Sequence, residues 1–101
     1  MKFLFKHYDD VMTEIDVDYR KETVSIKNYT DNVMFKAFGV VNEPTFSDFE
    51  DLLSSRCFPK ERDGMKIHLQ ELGLDYYDEL AIIEKTKGCL DDDHFSLERI
   101  L

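Results

Sequence analysis

The spacing of the apolar residues changes near the middle of the chain, and this change constrains the fold more than any other feature of the sequence. Over residues 11–19, apolar and polar residues alternate, as in a β-strand with one buried face. The residues expected on that face are Val11, Thr13, Ile15, Val17 and Tyr19. After Pro44, apolar residues recur with the spacing of an amphipathic helix. Strands followed by helices predict an α+β fold.

Residues 1–38 are expected to form an antiparallel β-meander of three to four strands. Residues 2–8 are rich in aromatic side chains, and residues 23–29 form a third run with period-two alternation. Residues 33–38 are expected to add a short edge strand that stops at Gly39. Such a sheet presents one apolar face for the helices to cover.

Residues 45–88 are expected to form a layer of about three helices. Thr45, followed three positions later by Asp48, predicts a helix start in which each side chain caps the other's backbone. This helix should end near Arg56, because Pro59 disfavours helix at the residue before it. Its apolar stripe consists of Phe46, Phe49, Leu52 and Leu53.

Two further helices are predicted over residues 63–72 and 78–87. Gly73 and Gly88 are placed to end them in the left-handed conformation that glycine adopts without strain. The residues of the last helix expected to point inward are Leu80, Ala81 and Ile83.

The remaining tail, residues 89–101, has alternating Phe95 and Leu97, which favours a C-terminal strand that returns to the sheet. A chain of 101 residues has the length of one domain with one modest core. We therefore expect a single α+β domain over residues 1–101, with the meander packed against the helices.

The net charge of −9 argues against direct nucleic-acid binding, because such binding depends on basic residues that neutralise phosphates. The charge is also uneven: residues 45–101 carry seven basic and fourteen acidic side chains, a net −7, whereas residues 1–44 carry a net −2. The partner expected for this chain is therefore another protein, such as one that handles nucleic acids.

The two cysteines, Cys57 and Cys89, match no spacing typical of zinc ligands or of a redox pair. The sequence shows no secretory signal and no stretch of about 20 apolar residues that would cross a membrane. Two free thiols and a cytoplasmic location are therefore expected.

The sequence does not favour an enzyme, and no cofactor is expected. Glycine-rich phosphate-binding motifs are absent from a chain with only four glycines. Cys57 has no histidine near it in sequence, so it is interpreted as a core residue. The run from Asp91 to His94 lacks the alternating acids and the glycine of a calcium loop, so no metal ligands are assigned to it.

Three charged groups are candidate contacts with a partner protein. They are the loop residues Arg56, Lys60 and Arg62, the strand residues Glu14, Asp16 and Asp18, and the acidic run Asp91, Asp92 and Asp93. The basic group suits phosphates or carboxylates of a partner, and the alternative is that it pairs with nearby acids and a helix end. The strand acids repeat about every 6.7 Å, close to two nucleotide steps, which suits mimicry of DNA. The alternative is that they keep an open sheet face soluble.

Several short motifs follow one another in the second half of the chain. They are Ser55-Arg56-Cys57-Phe58-Pro59, Arg62, Leu72-Gly73-Leu74-Asp75, Tyr77-Asp78, Ile82-Ile83-Glu84-Lys85-Thr86, Gly88 and Asp93-His94-Phe95. With these motifs, most of residues 45–95 resembles an uncharacterised family of small bacterial proteins. The pattern is also similar to the N-terminal recognition segment of HipA-type toxin kinases. The kinase lobes have no counterpart here, so the resemblance implies a stand-alone accessory domain without kinase activity, with a kinase-like protein as a candidate partner.

The sequence leaves three hypotheses about function. The first is a non-enzymatic protein-binding regulator of a bacterial cytosol, a toxin–antitoxin or mobile-element accessory module that docks on a partner. The second is an anti-CRISPR-type inhibitor that mimics nucleic acid through its acidic stripe. The third, which the sequence favours least, is a small hydrolase or transferase built around Cys57 or the run Asp91–His94.

Overall fold

The computed structural model describes residues 1–57, 64–90 and 93–101. The elements are β1 (Lys2–His7), β2 (Asp10–Asp18), β3 (Thr23–Asn28), a 3₁₀ helix (Val33–Phe35), α1 (Phe46–Ser55), α2 (Met65–Glu71), α3 (Glu79–Thr86) and β4 (Phe95–Arg99). The strands form one antiparallel sheet in the order β3-β2-β1-β4. The predicted α+β class, the N-terminal meander and the C-terminal strand are thereby confirmed.

A β-bulge interrupts the alternation of β2. The register with β1 shifts so that Phe5 lies opposite Thr13 but Lys6 lies opposite Val11. Met12 is the extra residue between the two pairs, and it packs against the core. The prediction that Val11 faces the core is therefore wrong. Because of the bulge, Met12 and not Val11 packs against the core. The fully buried residues of this strand are Thr13, Ile15 and Val17, as predicted.

Residues 33–38 do not form the edge strand that the sequence predicts. Asn32 accepts a hydrogen bond from the Met34 backbone N–H through its side chain and starts the 3₁₀ helix instead. The segment then turns beneath the sheet, where the Phe35 ring stacks on His7 with 4.5 Å between ring centroids. The Ala37 N–H donates to the Thr13 hydroxyl at 3.1 Å. A cap and two contacts with the inner face thus outweigh the strand propensity of this segment.

The inner face of the sheet packs against α1 and α3 around one core. The largest fully buried side chains are Phe3, Phe49, Ile15, Ile82, Ile83 and Leu97. The rings of Phe3 and Phe49 lie 5.3 Å apart between centroids, which joins the sheet directly to α1. The predicted stripe of α1 faces the sheet, with Leu52 and Leu53 also buried and Phe46 partly so.

The caps of α1 and α2 follow the predicted chemistry. Thr45 and Asp48 form the reciprocal capping box at the start of α1, with hydrogen bonds of 3.1 and 2.9 Å. After α2, Gly73 is left-handed at φ +76°, and its N–H donates to the Gln70 carbonyl. The Leu74 N–H donates to the Leu69 carbonyl, which completes a Schellman motif.

The third helix differs in detail from its prediction. Asp78 caps its start through a hydrogen bond to the Leu80 N–H, and Lys87 rather than Gly88 is the first left-handed residue after it. Ile82 is completely buried, whereas Leu80 is only partly buried. The sequence misses Ile82 because α3 packs against both α1 and β4, which buries a wider face than one stripe.

The two edges of the sheet differ. Beside β4, the Leu97 N–H points outward and donates to the Lys87 carbonyl at 2.8 Å. Gly88 lies so close that a Cβ at this position would be 2.7 Å from the Leu97 nitrogen. The turn that follows α3 therefore covers the β4 edge at Leu97, and glycine is required at position 88 for close approach as well as for φ.

Candidate functional site

The acidic stripe lies where the sequence predicts it, on the outer face of β2. Asp16 and Asp18 are exposed and Glu14 is partly exposed. Lysines on both neighbouring strands flank the stripe. Lys2 of β1 lies opposite Asp16, and its ammonium is 3.9 Å from the Glu14 carboxylate. Lys27 of β3 lies opposite Glu14. The local field is therefore less negative than the three acids alone suggest.

Arg56 is buried at the end of α1, with only 8% of its side chain exposed. Its Nε donates to the Gly88 carbonyl at 2.8 Å, and its Nη2 donates to the Phe95 carbonyl at 2.9 Å. Both terminal nitrogens donate to the Asp93 carboxylate, at 2.7 and 3.2 Å. The hydrogen bonds from Arg56, together with one from the Phe95 N–H, hold the pKa of Asp93 below its ordinary value.

The guanidinium of Arg56 thus ties α1 to the start of β4 and is engaged within the chain. Its predicted role in partner binding stays a prediction, as does that of Asp93. Lys60, Arg62, Asp91 and Asp92 lie outside the described residues, so their predicted contacts also stay predictions.

Five aromatic rings meet at the end of the sheet where β1 ends and β4 begins. We call this surface the aromatic end; it consists of His7, Tyr8, Phe35, His94 and Phe95. The rings of Tyr8 and His94 stack with 4.6 Å between centroids, and His7 contacts Tyr8 at 4.7 Å. His7 also contacts Phe95 at 4.8 Å, which links the exposed stack to the buried side of the sheet.

The backbone is strained where the two stacked rings are held. Tyr8 has φ +56° and His94 has φ +61°, a conformation uncommon for residues other than glycine. The Tyr8 N–H donates to the His94 carbonyl at 2.8 Å, so the two strained residues hold each other. Lys87, at φ +58°, lies beside the same surface. Backbone strain of this kind concentrates at functional sites.

A cavity of about 550 Å³ opens beside the aromatic end. Its walls include Lys6, Tyr8, Lys87, Cys89, His94 and Glu98. The Lys6 ammonium donates to the Glu98 carboxylate at 2.9 Å and, with its charge, lowers the pKa of that carboxyl. Aromatic rings and both signs of charge around one cavity suit an amphipathic side chain from a partner better than a simple ion.

Exposed apolar side chains continue the surface beyond Phe35. Tyr8 is 62% exposed, and Met34, next to Phe35 in the 3₁₀ helix, is 85% exposed. Val33 is exposed as well. Tyrosine and methionine are enriched in protein interfaces.

Cys57 is poorly suited to nucleophilic catalysis. It is buried, and desolvation, with smaller contributions from the charges of Glu79 and Asp78, raises the pKa of its thiol to about 12. The thiolate is the reactive form, so this thiol stays protonated and inert near neutral pH.

The two thiols should differ in reactivity with a thiol reagent. Cys89 is exposed and should react in the native protein, whereas Cys57 should react about a hundredfold more slowly or only after denaturation. Stopped-flow titration with and without denaturant measures both rates, and Cys89→Ser should remove the fast phase alone. A fast phase that survives Cys89→Ser would contradict the burial of Cys57.

Within residues 1–57, 64–90 and 93–101, no group of three or more histidine, cysteine, aspartate or glutamate side chains is arranged to hold a metal ion. In the same part of the chain, no helix is long and apolar enough to span a membrane.

Comparison of the chain with protein families, with curated proteins and with solved structures found no match.

Sequence reasoning missed the aromatic end. The motif Asp93-His94-Phe95 placed an aromatic residue near the start of a strand, but nothing in the sequence indicated that Tyr8 would lie beside it. The two meet only because β4 returns to pair with β1, a contact between residues at opposite ends of the chain.

Proposed function

We propose that this chain is a non-enzymatic regulator that acts by binding another protein through its aromatic end. The observation that carries the proposal is the stack of Tyr8 on His94, in which two residues with left-handed backbones present their rings to solvent. A rigid aromatic anchor loses little conformational entropy on binding, which is why such residues dominate interface energetics. The exposed Met34 extends the apolar surface.

The resemblance to the HipA-type recognition segment supports a partner from a toxin–antitoxin or mobile-element system in a bacterial cytoplasm. His94 and Phe95 belong both to the resembling motifs and to the aromatic end. In this proposal Arg56 and Asp93 are positioning residues: their ion pair fixes the start of β4, which carries His94.

Mimicry of nucleic acid, in the manner of an anti-CRISPR inhibitor, is the second candidate. The exposed carboxylates of Asp16 and Asp18 favour it. The lysines on both sides of the stripe weaken it, because they reduce the negative potential that a basic groove would recognise.

Affinity capture from a bacterial lysate tests the proposed surface, with quantitative mass spectrometry as the readout. The double variant Tyr8→Asn/His94→Asn removes both rings, and asparagine tolerates the left-handed backbone. It should retain about tenfold less of the specific partner than wild type. Tyr76→Asn is the matched control, since Tyr76 is 68% exposed and lies outside the aromatic end.

The partner identified in this way then distinguishes the two candidates by surface-plasmon-resonance kinetics. Loss of the rings should speed dissociation and leave association nearly unchanged. If the chain instead mimics nucleic acid, neutralising Glu14, Asp16 and Asp18 together should slow association and flatten its salt dependence. A partner that binds the double variant as tightly as wild type would exclude the aromatic end.

A further inference from the structure

The β3 edge of the sheet is open, in contrast to the β4 edge. The Tyr29 N–H donates to the Met12 carbonyl, which fixes the alternation of hydrogen bonds between β2 and β3. Because alternate residues of an edge strand bond to the neighbouring strand, the other residues of β3 direct their N–H and C=O groups away from β2. These residues are Val24, Ile26 and Asn28. Within the described part of the chain, these outward groups have no main-chain hydrogen-bond partner.

We propose that a second copy of this chain binds at this edge, with the two β3 strands antiparallel about a two-fold axis at Ile26. The resulting homodimer has one continuous sheet of eight strands. The proposal is independent of the proposed function, because the two-fold axis leaves the aromatic ends at opposite ends of the joined sheet.

The register with Ile26 opposite its own copy is favoured by the main chain. In this register, Val24 of each strand pairs with Asn28 of the other, so all outward groups are used in about six hydrogen bonds. A shift by two residues in either direction leaves one of the three outward residues without a partner. The side chains of Val24 and Ile26, half-buried at the margin of the core, also gain cover from the second copy.

The charges on the outer face fit the same register. Lys27 of one copy lies opposite Ser25 of the other, and Asp16 is the neighbour of that serine in β2. Two strand spacings, roughly 10 Å, separate the lysine backbone from Asp16, and the long side chain spans most of this distance across a small serine. A shift that placed Lys27 opposite its own copy would bring like charges together.

Charge substitutions at Ser25 test the proposal on an exposed side chain that the monomer does not need. Sedimentation equilibrium from micromolar to millimolar concentration should show a reversible dimer of the wild type. Ser25→Lys places two like-charged pairs in the dimer and should raise its dissociation constant about tenfold. In Ser25→Glu, the new carboxylate lies opposite Lys27 of the other copy, so the dissociation constant should fall. A wild type that stays monomeric, or a Kd that moves the same way in both variants, overturns the proposal.

Two substitutions at Ile26, one that removes its main-chain N–H and one that keeps it, test the hydrogen bonds themselves. Ile26→Pro removes an N–H that points outward and leaves the ladder with β2 intact, as proline does at the solvent side of an edge strand. Ile26→Ala truncates the same side chain but keeps this N–H. The proline variant should lose the dimer and the alanine variant should keep it, with circular dichroism confirming that both fold. Equal dimerisation of the two variants would place the interface elsewhere. Where the proline variant does not fold, the two Ser25 variants decide.

Discussion

Replacing Phe49 with alanine is expected to lower the free energy of unfolding by about 3–5 kcal/mol. Phe49 is completely buried, and its ring contacts Phe3 of the sheet at 5.3 Å and Tyr19 at 6.0 Å between centroids. Removal of this ring leaves a cavity between α1 and the sheet that the neighbouring rings fill only in part. Urea denaturation followed by circular dichroism measures the loss.

Phe46→Ala is the matched control, because Phe46 belongs to the same helix but is only partly buried. Its truncation should cost about 1 kcal/mol, since the ring lies at the margin of the core beside Tyr19 and removes less apolar surface from water. A loss below about 1 kcal/mol for Phe49→Ala, or equal losses for the two variants, would contradict the packing of α1 on the sheet.

Much of the fold is predictable because local signals and tertiary contacts agree. The capping box of Thr45 and Asp48 starts α1, and the left-handed Gly73 ends α2, each by contacts within a few residues. The alternation of Ile15 and Val17 matches the buried face of β2. In these places, the local signal and the tertiary packing favour the same structure.

Prediction from the sequence fails where contacts between residues distant in the sequence determine the structure. The bulge that moves Val11 out of the core depends on the register with β1, which a single strand does not encode. The segment after Asn32 has strand propensity, but the stacking of Phe35 on His7 draws it beneath the sheet. The aromatic end could not be predicted for the same reason, since Tyr8 and His94 meet only after β4 pairs with β1.

Loss of the Arg56 side chain should have the second large effect on stability. Arg56→Met keeps much of the buried volume but leaves the Gly88 and Phe95 carbonyls and the Asp93 carboxylate without their donor. We expect a loss of about 2–3 kcal/mol, moderated because 35% of the Asp93 side chain is exposed to water. Arg56→Lys should recover only part of the loss, because an ammonium does not reproduce the two-pronged contact.

The pH dependence of stability identifies the ion pair within this network. The pKa of Asp93 is lowered in the folded protein, so the unfolded chain binds its proton more readily. The stabilisation is therefore complete above the ordinary pKa of 3.8 and is lost as the pH falls through the lower, folded value. Asp93→Asn should remove this part of the dependence while keeping an oxygen that accepts the Phe95 N–H.

Comparison of wild type with Asp93→Asn isolates the ion pair from the other acids, which titrate in both proteins. Urea denaturation between about pH 6 and about pH 2 should show a stability difference that is constant at the upper end and shrinks at the lower end. Arg56→Met should reduce this pH dependence, because Asp93 then keeps only the Phe95 N–H among the hydrogen bonds that lower its pKa. A difference independent of pH would mean that Asp93 acts through its hydrogen bonds alone and that its charge contributes nothing to the attachment of β4 to α1.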